Sequence, residues 1–427
     1  MPEAQESVGR RAQSRIYRAG AYGRHPVVPV APSRLAAAAS RAMSRRARAY
    51  VVGSAGSEAT AAANREAFGR RRIVPRMLVD VENRDAGIEL LGRRLDSPFL
   101  LSPIGVLELV HRQADLAVAR AAAELGMPMM LSNQASVPME RIAAQVPQVR
   151  RWFQLYWSSD DELVASLVER AEASGCEAIV VTLDTHQLGW RPRDLDEAFL
   201  PFARGQGIAQ YTSDPRFLEL ARQRAALPRG RQPFPTPTAV STLLAMSRNH
   251  PGGTVANLRS PLPRAAVDTF LDVFSRSSLT WDNLAFLREH TRLPIILKGI
   301  QHPEDARRAV DSGMDAIMVS NHGGRQVDGA IASLDALPGI VAAVDAAVPV
   351  VFDSGIRTGA DAFTAIALGA TAVGVGRPYV YGLALAGAAG VTAVMSHLLA
   401  EFDLTMGLAG CRSIRDITID TLTRQQP

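Results

Sequence analysis

The chain is almost without lysine. Of its 47 lysine and arginine side chains, Lys298 is the single lysine and all the rest are arginine. Where a cation alone is wanted the sequence writes arginine, so a position that takes a compact ammonium instead of a planar fork has a specific need for one. Lys298 follows the apolar run Pro294-Ile295-Ile296-Leu297, which argues against a stray surface lysine. Cysteine is scarce as well: Cys176 and Cys411 are too few for a disulfide framework. That excludes a small secreted scaffold and suits a reducing cytoplasm, the expected location. No apolar run is read as reaching bilayer-spanning length, so a soluble protein without a membrane partner is expected. The arginine excess gives a formal charge of +5 but comes with no aromatic-interleaved basic stripe or zinc-finger spacing. Solvated basic surface is therefore expected, and no nucleic-acid partner. No histidine has a second histidine or cysteine at ligand spacing, so His186, His290 and His302 are read as turn or surface residues, with no metal expected. An Ala/Arg/Ser-rich start resembles a transit peptide, but Glu3 and Glu6 argue against one.

What is present is a long chain with a large core. At 427 residues and 47% hydrophobic content, one barrel-sized domain with additions is natural. Residues 1–33 show no sustained period and read as an extended arm. A helix is expected from Pro32-Ser33 to Tyr50, with Ser33 as its N-cap, and a second from Glu58 to Phe68. Apolar strand-like runs then recur at Phe99–Ser102, Met129–Ser132, Trp152–Tyr156, Ala178–Leu183, Pro294–Lys298, Ala316–Ser320, Val348–Phe352 and Ala372–Val375. Helical segments such as Ala114–Leu125, Asp161–Ser174, Pro303–Ser312 and Asp361–Leu368 separate most of them, and Val391–Thr405 ends the chain as a helix. The pattern predicts an α/β chain folded as a (β/α)8 TIM barrel, with an N-terminal helical extension over residues 1–75 and the barrel over 76–427. The connection after the fourth strand is far longer than an ordinary loop. It is expected to carry an inserted lid over about 196–275, Pro/Gly/Arg-rich and partly mobile around Leu227–Pro263, with Trp190 packed beneath it.

A barrel of this kind carries its chemistry at the carboxyl ends of the strands. Those ends hold Ser132, then Gln154 and Tyr156, then Thr182 and Asp184, then Lys298. The sixth ends in Ser320-Asn321-His322-Gly323-Gly324-Arg325-Gln326, which sets a base and a fixed cation three residues apart. His322 can take a proton near neutral pH and Arg325 can grip a carboxylate with two hydrogen bonds. In isolation such a short motif is equally a solvated turn. The seventh and eighth ends, Asp353-Ser354-Gly355-Ile356-Arg357-Thr358-Gly359 and Gly374-Val375-Gly376-Arg377, look like a phosphate site of glycine amides and arginines. Together these point to a phosphorylated cofactor with a carboxylate substrate before it.

The stretch Ser320–Gln326 resembles the active-site signature of the FMN-dependent 2-hydroxy acid oxidases and dehydrogenases, and the similarity runs from about Tyr50 onward. Thr182–Thr185, Leu188–Leu195, Tyr211–Pro215 and Ile300–Pro303 most resemble the lactate 2-monooxygenase branch. The resemblance implies FMN as cofactor and His322 as catalytic base, paired with Asp184. It implies Arg325 and Tyr50 at the substrate carboxylate with Arg191 nearby, and Tyr156 at the substrate hydroxyl. Lys298 would stabilise negative charge gained by the reduced ring. Ser132, Gln154 and Thr182 would contact the ring, Ser320 the ribityl chain, and Gly355, Arg357, Gly376 and Arg377 the phosphate, with Asp353 and Ser354 also at the cofactor. The implied activity is oxidation of a lactate-like L-2-hydroxy acid by oxygen, with oxidative decarboxylation where the 2-oxo acid is retained, in a homo-oligomer of four or eight copies. Gln134 and His186-Gln187 depart from that branch at expected pocket positions and point toward a larger or more polar acid. Gly105 is expected to leave room beside the ring. Alternatives that stay open are a simple oxidase, a dehydrogenase passing electrons to a carrier, a tailoring enzyme on a carrier-bound or peptide substrate, a non-catalytic FMN-binding module and a Schiff-base lyase using Lys298.

Overall fold

The computed structural model describes residues 6–228 and 236–423. Eight parallel strands close into a barrel: β1 Phe99–Leu101, β2 Met129–Ser132, β3 Arg151–Leu155, β4 Ile179–Thr182, β5 Ile295–Ile300, β6 Ala316–Val319, β7 Val350–Phe352 and β8 Ala372–Val375. Each falls within one of the expected runs or overlaps it. The ring is sealed by β8 against β1, with Val373 opposite Phe99.

The period-two alternation of a strand explains where chemistry can sit. Leu100, Met130, Trp152, Val180, Ile296, Met318, Val351 and Ala372 point into the barrel and form its apolar interior. Two residues further along each strand the inward position becomes Ser102, Ser132, Gln154, Thr182, Lys298, Ser320, Asp353 and Gly374. A dry lower layer thus carries a polar upper one. The lower end is plugged by an antiparallel hairpin, Ile88–Leu90 with Arg93–Leu95, whose Ile88, Leu90 and Leu95 join the interior. Three-residue strands with exposed charges left no sequence signal for it. Outward residues such as Phe153, Val181, Leu297, Ile317, Phe352 and Val373 pack under the surrounding helices.

The extension is more ordered than expected. Residues read as an extended arm contain a helix, Val8–Gly20, capped by the Ser7 side chain at Arg10 N. The expected Pro32–Tyr50 helix is two, Pro32–Ala42 and Arg45–Val52, broken at Met43. Ser33 is not a cap, since Pro32 already occupies the first turn; Ser44 caps the second helix instead, accepting from Ala47 N (3.2 Å). The next, Ala59–Gly69, lies where expected.

The inserted segment carries helices Pro192–Asp196, Pro215–Ala226, Pro237–Asn249, Thr254–Arg259 and Leu262–Val273. It has an aromatic core of its own, with Phe270 packed against Tyr211 (ring centroids 4.8 Å) and Phe202 (5.0 Å). Part of the stretch expected to be mobile, residues 229–235, lies outside the described residues. Trp190 is not packed beneath the segment but 72% exposed. The last α-helix, Arg377–Ala409, is long and apolar enough to cross a membrane, against the expectation that no run reaches that length. It is broken at Ala386 and Gly387 and packs on Val8–Gly20, Pro32–Ala42, Ala114–Glu124 and Gly359–Ala367.

Candidate active site

A cavity opens over the polar layer, at the carboxyl ends of the strands where a barrel of this kind carries its chemistry. Its wall includes His322, Arg325, Tyr50, Tyr156, Arg191 and Lys298, and, toward the seventh and eighth strands, Asp353, Ser354, Gly355, Arg357, Gly376 and Arg377. Ser132, Gln154, Thr182 and Ser320 are buried and Asp184 is half-buried at the strand ends, but none of them forms part of that wall.

His322 leaves the end of β6 with a left-handed backbone (φ 57°), a conformation costly for a residue with a Cβ and typical of over-determined functional positions. Its N–H donates to Ser320 Oγ (3.1 Å), and Gly323 N donates to Ser354 Oγ (3.0 Å). The turn aims the imidazole at Asp184, with 2.7 Å between Nδ1 and Oδ1. Nδ1 therefore carries the proton and Nε2 is left free. Burial holds the His322 pKa below its ordinary value, and Lys298 and Arg191 reinforce this against the pull of Asp184. Burial acts to raise Asp184, but His322 and Lys298 more than offset it, so its carboxyl stays ionised. Asp184 fits beside β5 because Gly299 sits at a register shift with φ 108°; a Cβ there would lie 2.9 Å from that of Asp184.

Lys298 is 3% exposed and donates to Ser320 Oγ (2.8 Å), with Asp353 at 3.6 Å and Asp184 at 3.8 Å. Neither carboxylate makes a close pair with it, so a fixed cation remains directed at the cavity.

The carboxylate side is built by cross-bracing. Arg325 donates to the backbone oxygens of Tyr50 and Gly53 and lies over the Tyr50 ring (5.1 Å to the centroid). Arg191 donates to Arg325 O (3.2 Å) and Gln326 Oε1 (2.7 Å), and Gln326 Nε2 donates to Asp184 O (2.8 Å). Burial, with Arg325 next to it, lowers Arg191 to about 10. Burial raises the Tyr50 and Tyr156 phenols, Asp184 adding to the effect on Tyr156, so both stay protonated.

The far end fits a phosphate. Arg377 donates to Val51 O, Gly323 O, Gly53 O and Ser54 Oγ, and Arg357 to Ile356 O; among the described residues neither has a carboxylate within ion-pair distance. Burial lowers the pKa of both, and for Arg377 the Arg357 charge adds to it. Two buried guanidiniums facing one cavity repel each other until a dianion lies between them. Toward the barrel axis, Gln154 Nε2 and Thr182 Oγ1 are buried polar atoms with no protein partner, as a planar ring with donors and acceptors on its edge requires.

The structure gathers the predicted strand-end residues around one cavity. It corrects three pocket readings. His186 and Gln187 are exposed and off the wall, which takes Thr185 and Leu188 instead. Gly105 leaves no free room, because the Gln134 side chain fills it; a Cβ on Gly105 would lie 3.0 Å from Gln134 Cβ. His290 is half-buried against Phe286 and His302 caps Pro303–Asp311 through Glu304 N. The sequence reading missed Ser102, Gly299, and the reciprocal amide pair of Asn64 and Asn321 (2.8 Å each way) that ties the N-terminal helices to the β6 turn. All three depend on partners far away in sequence.

A phosphate cradle, an unpaired ring-edge set and a base beside a carboxylate clamp define a flavin-nucleotide barrel enzyme acting on small acids. The chain belongs to the FMN-dependent dehydrogenase family, whose model matches residues 39–424. It is 40% identical over 413 residues to the FMN-dependent alpha-hydroxy acid dehydrogenase qulF of Penicillium citrinum, covering 96% of this chain and 95% of that one. It is also 40% identical to an L-lactate oxidase of Lysinibacillus sphaericus, over 88% of each chain. Its fold is similar to that of mandelate oxidase crystallised with (S)-4-hydroxymandelic acid, with TM-score 0.75 and 38% identity over 92% of this chain and 98% of that one. FMN is thus the cofactor and 2-hydroxy acid oxidation the chemistry.

Proposed function

We propose that the protein oxidises an L-2-hydroxy acid larger than lactate, with a hydrogen-bonding side chain, to the 2-oxo acid, with oxygen becoming hydrogen peroxide. The observation that carries this is the His322–Asp184 pair at 2.7 Å, set on one cavity with Arg325, Tyr50 and Arg191. Arg325 and Arg191 hold the substrate carboxylate, Tyr50 closing that side, and Tyr156 takes the substrate hydroxyl. His322 Nε2 removes a proton from the substrate, and Asp184 stabilises the imidazolium so formed. When bound, FMN supplies the two-electron acceptor. Arg357, Arg377, Gly355 and Gly376 would hold its phosphate, Ser320 its ribityl chain, and Ser132, Gln154 and Thr182 its ring, with Asp353 and Ser354 on the same wall; Lys298 offers that ring a fixed positive charge.

The substrate class rests on the remaining wall. Ile104, Leu188 and Phe202 are apolar, and among them Gln134 presents a side-chain amide with no partner among the described residues. An unpaired amide in an apolar pocket penalises a bare methyl side chain and favours one that satisfies it. Leu188 is 47% exposed, so the cavity reaches solvent there and product can leave.

The second reading is the lactate 2-monooxygenase outcome, favoured by Phe202, which the inserted segment brings to the wall. A retained 2-oxo acid would then be decarboxylated by peroxide in the closed site. The test is anaerobic bleaching of bound FMN by a panel of 2-hydroxy acids, then product analysis in air. Faster bleaching by acids with polar side chains than by lactate, with equimolar 2-oxo acid and peroxide, is expected, and Gln134→Leu should reverse the preference by about tenfold or more. Acetate and carbon dioxide from lactate would establish the second reading, and no bleaching by any member would overturn both.

A further inference from the structure

Thr185 has no role in the reaction as described above, yet its hydroxyl touches both members of the base pair. It is 4% exposed and on the cavity wall. Its Oγ1 lies 2.9 Å from Asp184 Oδ1 and 3.2 Å from His322 Nδ1. A hydroxyl has one proton to give and two lone pairs to offer. His322 Nδ1 is closer to Asp184 (2.7 Å) than to Thr185, so the imidazole proton goes to the carboxylate. The Thr185 proton then has the ionised Asp184 oxygen as its acceptor.

We propose that Thr185 is a positioning residue for the base: it donates to Asp184 Oδ1, the same oxygen that takes the imidazole proton, and so holds that carboxylate in place against His322. The inference rests on His322 being the base. The charged and titratable groups around the set are Asp184, Lys298 and Arg191 facing His322, Tyr50 and Arg191 facing Tyr156, and Arg325 over the Tyr50 ring. Thr185 Oγ1 lies within hydrogen-bond distance of both members of the dyad. Asp184 Oδ2 has no hydrogen-bond partner, which leaves Oδ1 as the oxygen that orients the pair.

The consequence has a sign. With the hydroxyl removed, Asp184 Oδ1 loses one of its two donors, its negative charge is less spread, and it holds the imidazolium more tightly. His322 then titrates at higher pH and the base form needs more alkaline conditions.

The experiment compares Thr185→Val, which keeps the shape, with Thr185→Ser, which keeps the hydroxyl. FMN content is read from the visible spectrum, the His322 imidazole titration by NMR with His322→Ala for assignment, and kcat/KM across pH. Thr185→Val is expected to retain FMN, raise the His322 titration and the acid limb of kcat/KM by about one pH unit, the scale of one hydrogen bond to a charged group, and lower kcat at least ~10-fold. Thr185→Ser is expected to match the parent in all three. An unmoved titration in Thr185→Val overturns the proposal, as does a serine variant as displaced as the valine one, since the methyl would then be what counts. Should the valine variant lose FMN, the serine variant alone decides in the same way. If His322→Ala leaves FMN bleaching intact, it is the assignment of the base that fails, a result distinct from either.

Discussion

Burial, Lys298 and Arg191 together keep His322 neutral where an exposed histidine would begin to protonate. A base must be unprotonated to act, so kcat/KM rises with pH through the His322 titration, and its midpoint is expected below about 6.5. His322→Ala should bind FMN, because the phosphate cradle is untouched, and bleach it at least ~100-fold more slowly under anaerobic substrate; stopped-flow absorbance measures this directly. Lys298 was legible from composition alone, as the single ammonium in a chain of arginines. Gln326, Gly299 and Thr185 were not. Their importance lies in distances to Asp184 that span from one residue to more than a hundred along the chain, and no local pattern encodes such distances.

Among the elements, the barrel strands declared themselves through apolar runs, while the N-terminal helices obscured theirs. The Val8–Gly20 helix is held from the far end of the chain: Gly9 N donates to Asp403 Oδ2 (2.8 Å), and Arg84 pairs with the same carboxylate (2.9 Å). The Gly9 anchor lies almost four hundred residues away, so the local sequence does not show what holds this helix in place. The C-terminal helix is continuous by apolar content and broken by geometry. Gly387 takes φ 58° and ψ −137°, which turns its second half onto the helices beneath, and a Cβ there would meet the His111 ring at 3.0 Å. Gly387→Ala is expected to lower stability by roughly 1–3 kcal/mol, the scale of one residue forced into such a conformation. Chemical denaturation would show it as a lower midpoint at unchanged slope.

For the molecule as a whole, stability against pH carries one unusual contribution. Asp115 is 1% exposed, accepts from Ser136 N (2.8 Å), and is pushed by burial up to about 7. A carboxyl whose folded pKa is raised favours the native state below its unfolded value near 4, and that advantage is lost as pH rises through about 7. The parent should therefore lose thermal stability relative to Asp115→Asn between pH 5 and 8, by on the order of 1 kcal/mol per pH unit; parallel melting curves for the two would show that Asp115 titrates normally. The sequence by itself determined the eight-stranded barrel, its polar strand ends and the motif at His322, because strand period and apolar runs are local properties. Tertiary structure decided which of those ends face the cavity and which only support it. It turned His186 and Gln187 to solvent, set Gln134 over Gly105, and drew Thr185, Asp184 and His322 into one hydrogen-bonded set. The physical reason is that a side chain's aim depends on the turn that carries it and on what fills the space beside it. Both are fixed when distant segments close the barrel.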